Sequence, residues 1–132
     1  IVVIKLGCST LYEMDNNLKE IAELHLSGFP LVIVHGGGAL ISDWMNKLEI
    51  KTDFIDGLRV TDKDSIQIVT AVLGGLVNKT IVASIINQNC KAIGLSGIDD
   101  NIFTAQFLDQ THGYVGNITN TKCEYIKILL NA

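Results

Sequence analysis

The chain has 132 residues, a formal net charge of −4, and 48% hydrophobic against 18% charged residues. That length suits one domain with a core of its own, and that balance excludes a disordered segment. The acidic balance gives no electrostatic reason to bind nucleic acid, and the uninterrupted apolar runs fall far short of the roughly 18 residues of a membrane span.

Ile1 to Leu6 is an apolar run broken only by Lys5. It reads as a central strand with Lys5 at its carboxyl end. The run is too short for a signal peptide, and Gly7 follows it. Cys8, Cys90 and Cys123 are odd in number, widely spaced and without a Cys-x-x-Cys pair. A reduced, cytoplasmic setting is the plain expectation. Gly7-Cys8-Ser9-Thr10 reads as a turn in which Ser9 or Thr10 caps a helix. Leu11, Met14, Leu18, Ile21, Ala22 and His25 give that helix one apolar face, and Gly28 stands at its C-terminal cap position.

Leu31 to Val34, right after Pro30, is a second short apolar run and reads as a strand buried on both faces. Leu40, Ile41, Trp44, Met45 and Leu48 then recur at helical spacing. Between strand and helix stand His35, Gly36, Gly37 and Gly38. A glycine turn at a helix start lets backbone N–H groups point at a ligand, and the helix end adds unpaired donors and partial positive charge. This is a recipe for holding an anion, most often phosphate; the plain alternative is a tight turn. His-Gly-Gly-Gly also builds oxyanion holes in esterases, but that needs a Gly-x-Ser-x-Gly elbow. In Gly94-Leu95-Ser96-Gly97-Ile98 the second glycine comes one place too early, and no Walker or Gly-x-Gly-x-x-Gly loop is present.

The resulting β-α-β-α order implies a parallel sheet with right-handed crossovers, whose ligands sit beyond the carboxyl ends of the strands. Lys5 then lies at the same rim as the triple glycine. There it would neutralise charge on a transferred phosphoryl group, since a charge buried in an apolar strand is otherwise expensive. The alternative is a strand-end lysine reaching water.

Asp56-Gly57 between apolar residues signals a hairpin, with Arg59 just past the turn. Thr61 is expected to cap a long helix over residues 62–87, with Asp62 and Asp64 at its positive end. Its apolar stripe from Ile66 to Ile86 is wide, Gly74-Gly75 falls in the middle, and Asn78 and Lys79 interrupt it with no evident purpose. The glycines imply either a close helix crossing or a kink. Ala92 to Leu95 reads as a third buried strand running into Ser96-Gly97, where Ser96 either lines the rim or belongs to an ordinary loop. Ile102 to Leu108 and Tyr114 to Thr119 read as edge strands, and Thr121 as the cap of a last helix. That helix is still amphipathic at Ala132, which suggests an early end.

Taken in order, Lys5-Leu6-Gly7, His35-Gly36-Gly37-Gly38, Gly57-Leu58-Arg59-Val60-Thr61, Val77-Asn78-Lys79 and Gly94-Leu95-Ser96-Gly97 resemble the amino-terminal half of the N-acetylglutamate kinases, in the amino acid kinase family. The resemblance covers essentially the whole chain. It implies an α/β fold, a three-layer αβα sandwich around a mainly parallel sheet, truncated here. Residues 1–132 would form the substrate-binding domain, without the carboxyl-terminal ATP-binding domain. It also implies transfer of phosphate from ATP, with Mg2+, to the side-chain carboxylate of N-acetyl-L-glutamate, an early step of arginine biosynthesis. A related kinase acting on a carrier-linked aminoadipate or glutamate shares much of the pattern, and Asp56-Gly57-Leu58-Arg59-Val60-Thr61 favours the acetylglutamate version. By the same resemblance Lys5 stabilises the transferred phosphoryl group. Gly37 and Gly38 bind substrate, Arg59 holds the substrate α-carboxylate, and Gly7, Cys8 and Gly36 face phosphate. No metal ligand is expected in this chain, and a homodimer would form through the helix over 62–87.

Two departures stand out. Cys8 occupies a place where the family usually has glycine, and the chain lacks the half that supplies a second lysine, an aspartate and an asparagine. The competing expectation, of a different class, is a small-molecule-binding module that keeps the pocket without turnover.

Overall fold

Two parallel strands set the geometry on which the rest depends. A computed structural model describes residues 1–7 and 14–131; the expected turn at Cys8 and the cap at Ser9 or Thr10 lie outside them. Strand β1 (Val2–Leu6) pairs in parallel with β2 (Leu31–His35), from Val2 beside Leu31 to Leu6 beside His35. Helix α1 (Met14–Leu26) makes the crossover and buries Leu18, Ile21 and Ala22. It ends as expected, with Gly28 at a positive φ of 97° and its N–H on the His25 carbonyl. His25 itself is exposed, off the buried face.

The sheet has one covered face. Ile4, Leu6, Leu31 and Ile33 meet a cluster built from α1, α2 (Gly38–Lys47) and the later helix α4 (Asn78–Asn87). Side chains alternate along a strand, so Val3, Lys5 and Val34 point the other way, and there Val3 is 65% and Val34 48% exposed. The strands are thus not buried on both faces, and the expected three-layer sandwich around a mainly parallel sheet is present only in part: the sheets among the described residues are two-stranded, and the pair β1–β2 is the parallel one. Helix α2 behaves as its spacing predicts on its inner side: Ile41 and Met45 are buried, while Trp44 and Leu48 lie toward solvent.

The Asp-Gly hairpin is present as β3 (Phe54–Ile55) and β4 (Leu58–Arg59). Asp56 and Gly57 both take positive φ, 50° and 81°, the backbone that a two-residue hairpin turn requires.

The expected helix over 62–87 is interrupted. Helix α3 (Lys63–Thr70) passes into a π-helical segment (Ala71–Val77) and then into α4. Its buried residues fall at 65, 72, 77, 78, 81 and 85, with a step of five from Val72 to Val77 inside the π segment. The wider i→i+5 turn rotates the stripe, which leaves Leu76 46% exposed and brings Asn78 inward to 7%. Gly74 and Gly75 lie inside this segment, with open space around both. Lys63–Asn87 is long and apolar enough to cross a bilayer by length and composition. Its buried residues nonetheless join the domain core.

Asp62, not Thr61, caps α3: its carboxylate accepts the Ser65 N–H at 2.8 Å. Thr61 is otherwise engaged, with its hydroxyl on the Arg59 carbonyl and its N–H on the His112 carbonyl. Hydrogen bonds from the Ser65 N–H and hydroxyl hold the Asp62 carboxyl below the ordinary carboxylate value. A depressed folded value means that the contribution is whole above about pH 4 and fades as pH falls through the folded value. Asp62→Ala should therefore lower the unfolding midpoint at neutral pH. Asp62→Asn should keep the cap and flatten the acid-side loss of stability, read by thermal unfolding from pH 7 down to about pH 2.

The expected third strand does not form. Residues 90–95 are unassigned, and a groove of about 840 Å³, lined by β2, α4 and Ala92–Leu95, lies beside β2. A ladder needs a neighbour at roughly 4.8 Å, and across this groove there is none among the described residues. The two expected edge strands pair with each other, as β5 (Phe103–Phe107) and β6 (Gly116–Thr121), antiparallel with an irregularity at Thr104/Ala105. Thr121 ends β6 rather than capping a helix, and α5 (Glu124–Leu130) starts after Cys123 without a side-chain cap.

Candidate active site

The site grows from the carboxyl tips of β1 and β2. The parallel register sets Lys5 beside Val34 and Leu6 beside His35, so Lys5 and Gly7 flank the segment that opens into Gly36-Gly37-Gly38. Lys5 is exposed. The burial cost that argued for a functional charge therefore does not apply in this fold, and its placement rests on register alone. Gly7 is half-buried at the tip of β1. Cys8 lies outside the described residues.

Helix α2 begins at Gly38 with no side-chain cap and no acidic residue in its first turn. The first N–H groups of a helix have no intrahelical acceptor, so positive potential collects here. Gly37 is buried, and a Cβ on it would press on the Leu73 side chain of the π segment. A Cβ on Gly36 would meet nothing within 4 Å, so space is open beside the turn.

Arg59 is brought to this point. Its Nη2 donates to the Gly38 carbonyl at 3.1 Å and to the Ser42 hydroxyl at 2.8 Å, and its Nη1 to the Met45 sulfur at 3.4 Å. Its guanidinium lies over the Phe54 ring, 4.7 Å from the centroid. The hairpin and the first turn of α2 thus hold one planar cation next to the glycine turn. Burial lowers its value from that of ordinary arginine, yet a guanidinium stays charged at neutral pH. Sequence spacing alone made Arg59 an exposed hairpin arginine; the structure joins it to the rim.

A second network lies on the far side of the turn, and sequence spacing gave it no role. His35 Nδ1 is 3.1 Å from the Gly36 carbonyl, and its Nε2 is 3.3 Å from Nδ2 of Asn78. The same Nδ2 donates to the Leu95 carbonyl at 3.1 Å. Lys79 Nζ donates to the Asn78 amide oxygen at 3.1 Å and to the Gly94 carbonyl at 3.0 Å. A Cβ on Gly94 would overlap the Asn78 amide, so only glycine fits there. The signal in the sequence was an asparagine in an apolar helical stripe, and a five-residue step from Val72 to Val77 hid its direction.

Ser96 belongs to its own turn rather than offering a free donor: its N–H and hydroxyl both bond the Asp99 carboxylate. Those bonds, with a smaller pull from Lys79, hold Asp99 below the usual carboxylate range. Among the described residues, no group of three or more His, Cys, Asp or Glu is placed to hold a metal ion.

A tip of this kind fits anion binding, and similarity to known proteins narrows it. The amino acid kinase family model matches residues 1–132. Acetylglutamate kinase of Dehalococcoides mccartyi is 43% identical over 132 residues, all of this chain and 48% of that protein. Acetylglutamate kinase of Campylobacter fetus is 42% identical over 137 residues, 99% of this chain and 48% of that protein. The chain thus spans about half the length of these relatives. Among solved structures, smu.665 of Streptococcus mutans superimposes with a TM-score of 0.88 at 32% identity, over 98% of this chain and 54% of that one. N-acetylglutamate synthase of Neisseria gonorrhoeae, complexed with coenzyme A and N-acetyl-glutamate, gives 0.76 at 22% identity over 98% of this chain and 30% of that one, a likeness of fold.

Proposed function

Because the chain belongs to the amino acid kinase family, we propose that its protein transfers the γ-phosphoryl group of ATP to the side-chain carboxylate of N-acetyl-L-glutamate. Residues 1–132 would supply the acid-binding side of that site. The names carried by its relatives support the substrate. The observation that carries the reading is the Arg59 guanidinium docked on Gly38 and Ser42, beside the open space at Gly36.

The chemistry explains why cations and bare amides belong together here. A carboxylate oxygen attacks the γ-phosphorus, the bond to the bridging oxygen breaks, and ADP leaves with the electron pair. An acyl phosphate forms and no proton moves. Both reactants are anions, so the barrier falls only where their charge is matched. Arg59 holds the α-carboxylate as a planar fork. The N–H groups of Gly37 and Gly38 bind substrate and phosphoryl oxygens, with Gly36, Gly7 and Cys8 on the phosphate side. Lys5 neutralises charge on the phosphoryl group in flight. Mg2+ would arrive with ATP and counter its phosphate charge, and no step here runs through it.

The long helical run suits a homodimer contact. Leu76 and Ile86 are 46% and 51% exposed, and the surface at Gly74 and Gly75 is open. Apolar surface of this kind favours burial against a second copy. The protein is proposed to work in the cytoplasm.

Calorimetry of the full-length protein tests the substrate. N-acetylglutamate should bind at least roughly tenfold more tightly than glutamate or 2-aminoadipate, because a site shaped for the acyl group leaves polar groups unpaired without it. Equal binding of all three would overturn the assignment. Tight binding with no ADP formed from ATP would favour the module without turnover.

A further inference from the structure

The hydrogen bonds behind the glycine turn can be read in one direction only. The Gly36 and Leu95 carbonyls are acceptors, and the Lys79 ammonium is a donor. Lys79 therefore fixes the Asn78 amide with its oxygen toward the ammonium, and Leu95 fixes the same amide with its nitrogen toward the carbonyl. Asn78 Nδ2 must then donate to His35 Nε2, which accepts, so the ring proton sits on Nδ1. That proton is donated to the Gly36 carbonyl. Every role in the relay is set by a group at its end that cannot reverse.

The peptide joining Gly36 to Gly37 is trans and planar, so its carbonyl and its N–H point to opposite sides. Holding the Gly36 carbonyl against the His35 ring therefore turns the Gly37 N–H away from that ring. Glycine has no side chain to hold such a plane in place. The burial of Asn78, the absence of room for a Cβ at Gly94 and the π segment that turns Asn78 inward all serve this arrangement.

We propose that Asn78, oriented by Lys79, is a positioning residue. It holds His35 as the neutral Nδ1–H tautomer, and His35 in turn holds the Gly36–Gly37 peptide so that the Gly37 N–H is presented to the ligand oxygen. The relay itself rests on the hydrogen bonds. Its consequence for turnover rests on the proposed function, which places that N–H at the acyl phosphate.

Two measurements on the full-length protein separate the two. The first is the 15N NMR signature of the His35 ring, read without any ligand. The wild type should show the Nδ1–H tautomer, and Asn78→Leu should mix in Nε2–H. Should that variant fail to fold, Lys79→Met frees the amide to rotate and should blur the tautomer while sparing the fold. A wild-type Nε2–H ring, or a tautomer indifferent to whichever variant folds, would overturn the relay even if kinase activity were intact. The second is kinetics with N-acetylglutamate and ATP. The folded variant should lose roughly tenfold or more in kcat/KM, since small misplacement at a reacting centre is costly. A shifted tautomer with unchanged kcat/KM would overturn the positioning role. A wild type that neither binds N-acetylglutamate nor phosphorylates it would instead remove the functional premise, and the NMR result would still decide the relay.

Discussion

Replacing Lys5 with alanine in the full-length protein should lower kcat by about 100- to 1,000-fold while moving KM for the acid only slightly. Lys5 sits one residue from the tip of β1, in register with Val34 and one step from His35. It is exposed, on the face of the sheet that also carries the exposed Val3 and Val34. Removing it leaves the core cluster of Leu6, Ile41, Val77 and Ile81 untouched, so the unfolding midpoint should hardly change. This separates chemistry from folding. A lysine that merely reaches water predicts no effect on either quantity, and unchanged kcat would establish that. Lys5→Arg keeps the charge but replaces a compact ammonium with a wider planar fork. It should recover only part of the rate if a point charge near one phosphoryl oxygen is what matters.

Features set by local chemistry were legible in the sequence. Asp56-Gly57 marked its hairpin because two successive positive-φ residues admit few other side chains, and Gly28 marked the end of α1 for a similar reason. The β2–glycine–α2 unit was legible because its periodicity changes within three residues. Features that depend on a partner were not. Ala92–Leu95 has a strand's composition, but a strand is a relation between two segments, and across the groove beside β2 it meets no ladder partner among the described residues. Thr61 has a cap's chemistry, yet its polar groups are drawn to Arg59 and His112, which leaves the cap to Asp62. Thr121 is held in β6 in the same way. At the site, the glycine turn could be read locally, whereas Arg59 and Asn78 reach it across 17 and 43 residues of chain, from Ser42 and to His35. Residue type raised the first through family resemblance. A π segment that rotated the second out of its expected phase concealed it.

Arg59→Ala should raise KM for N-acetylglutamate by roughly 100-fold, with a smaller change in kcat. Each hydrogen bond to a charged partner contributes about 1.5–3 kcal/mol, and about 1.4 kcal/mol is a factor of ten, so losing one fork suffices for that shift. Geometry sets the direction. The Nη2 protons are engaged with Gly38 and Ser42, and Nη1 reaches Met45, which fixes the plane; each two-donor edge of the guanidinium includes Nη2, so the acid completes its fork by taking one Nη2 proton in exchange for one of these contacts. The Phe54 ring against the guanidinium limits its rotation further. Arg59→Lys tests shape against charge: it retains the cation and loses the fork, so KM should still rise about tenfold. Ser42→Ala removes one anchor and keeps both shape and charge, and should give a rise smaller than either. That order, alanine above lysine above the Ser42 variant, follows only if Arg59 binds acid as an oriented plane. An Arg59→Ala enzyme with unaltered KM would make the contacts with Gly38 and Ser42 a clasp between the hairpin and α2 alone. The loss would then appear in the unfolding midpoint instead of in substrate binding.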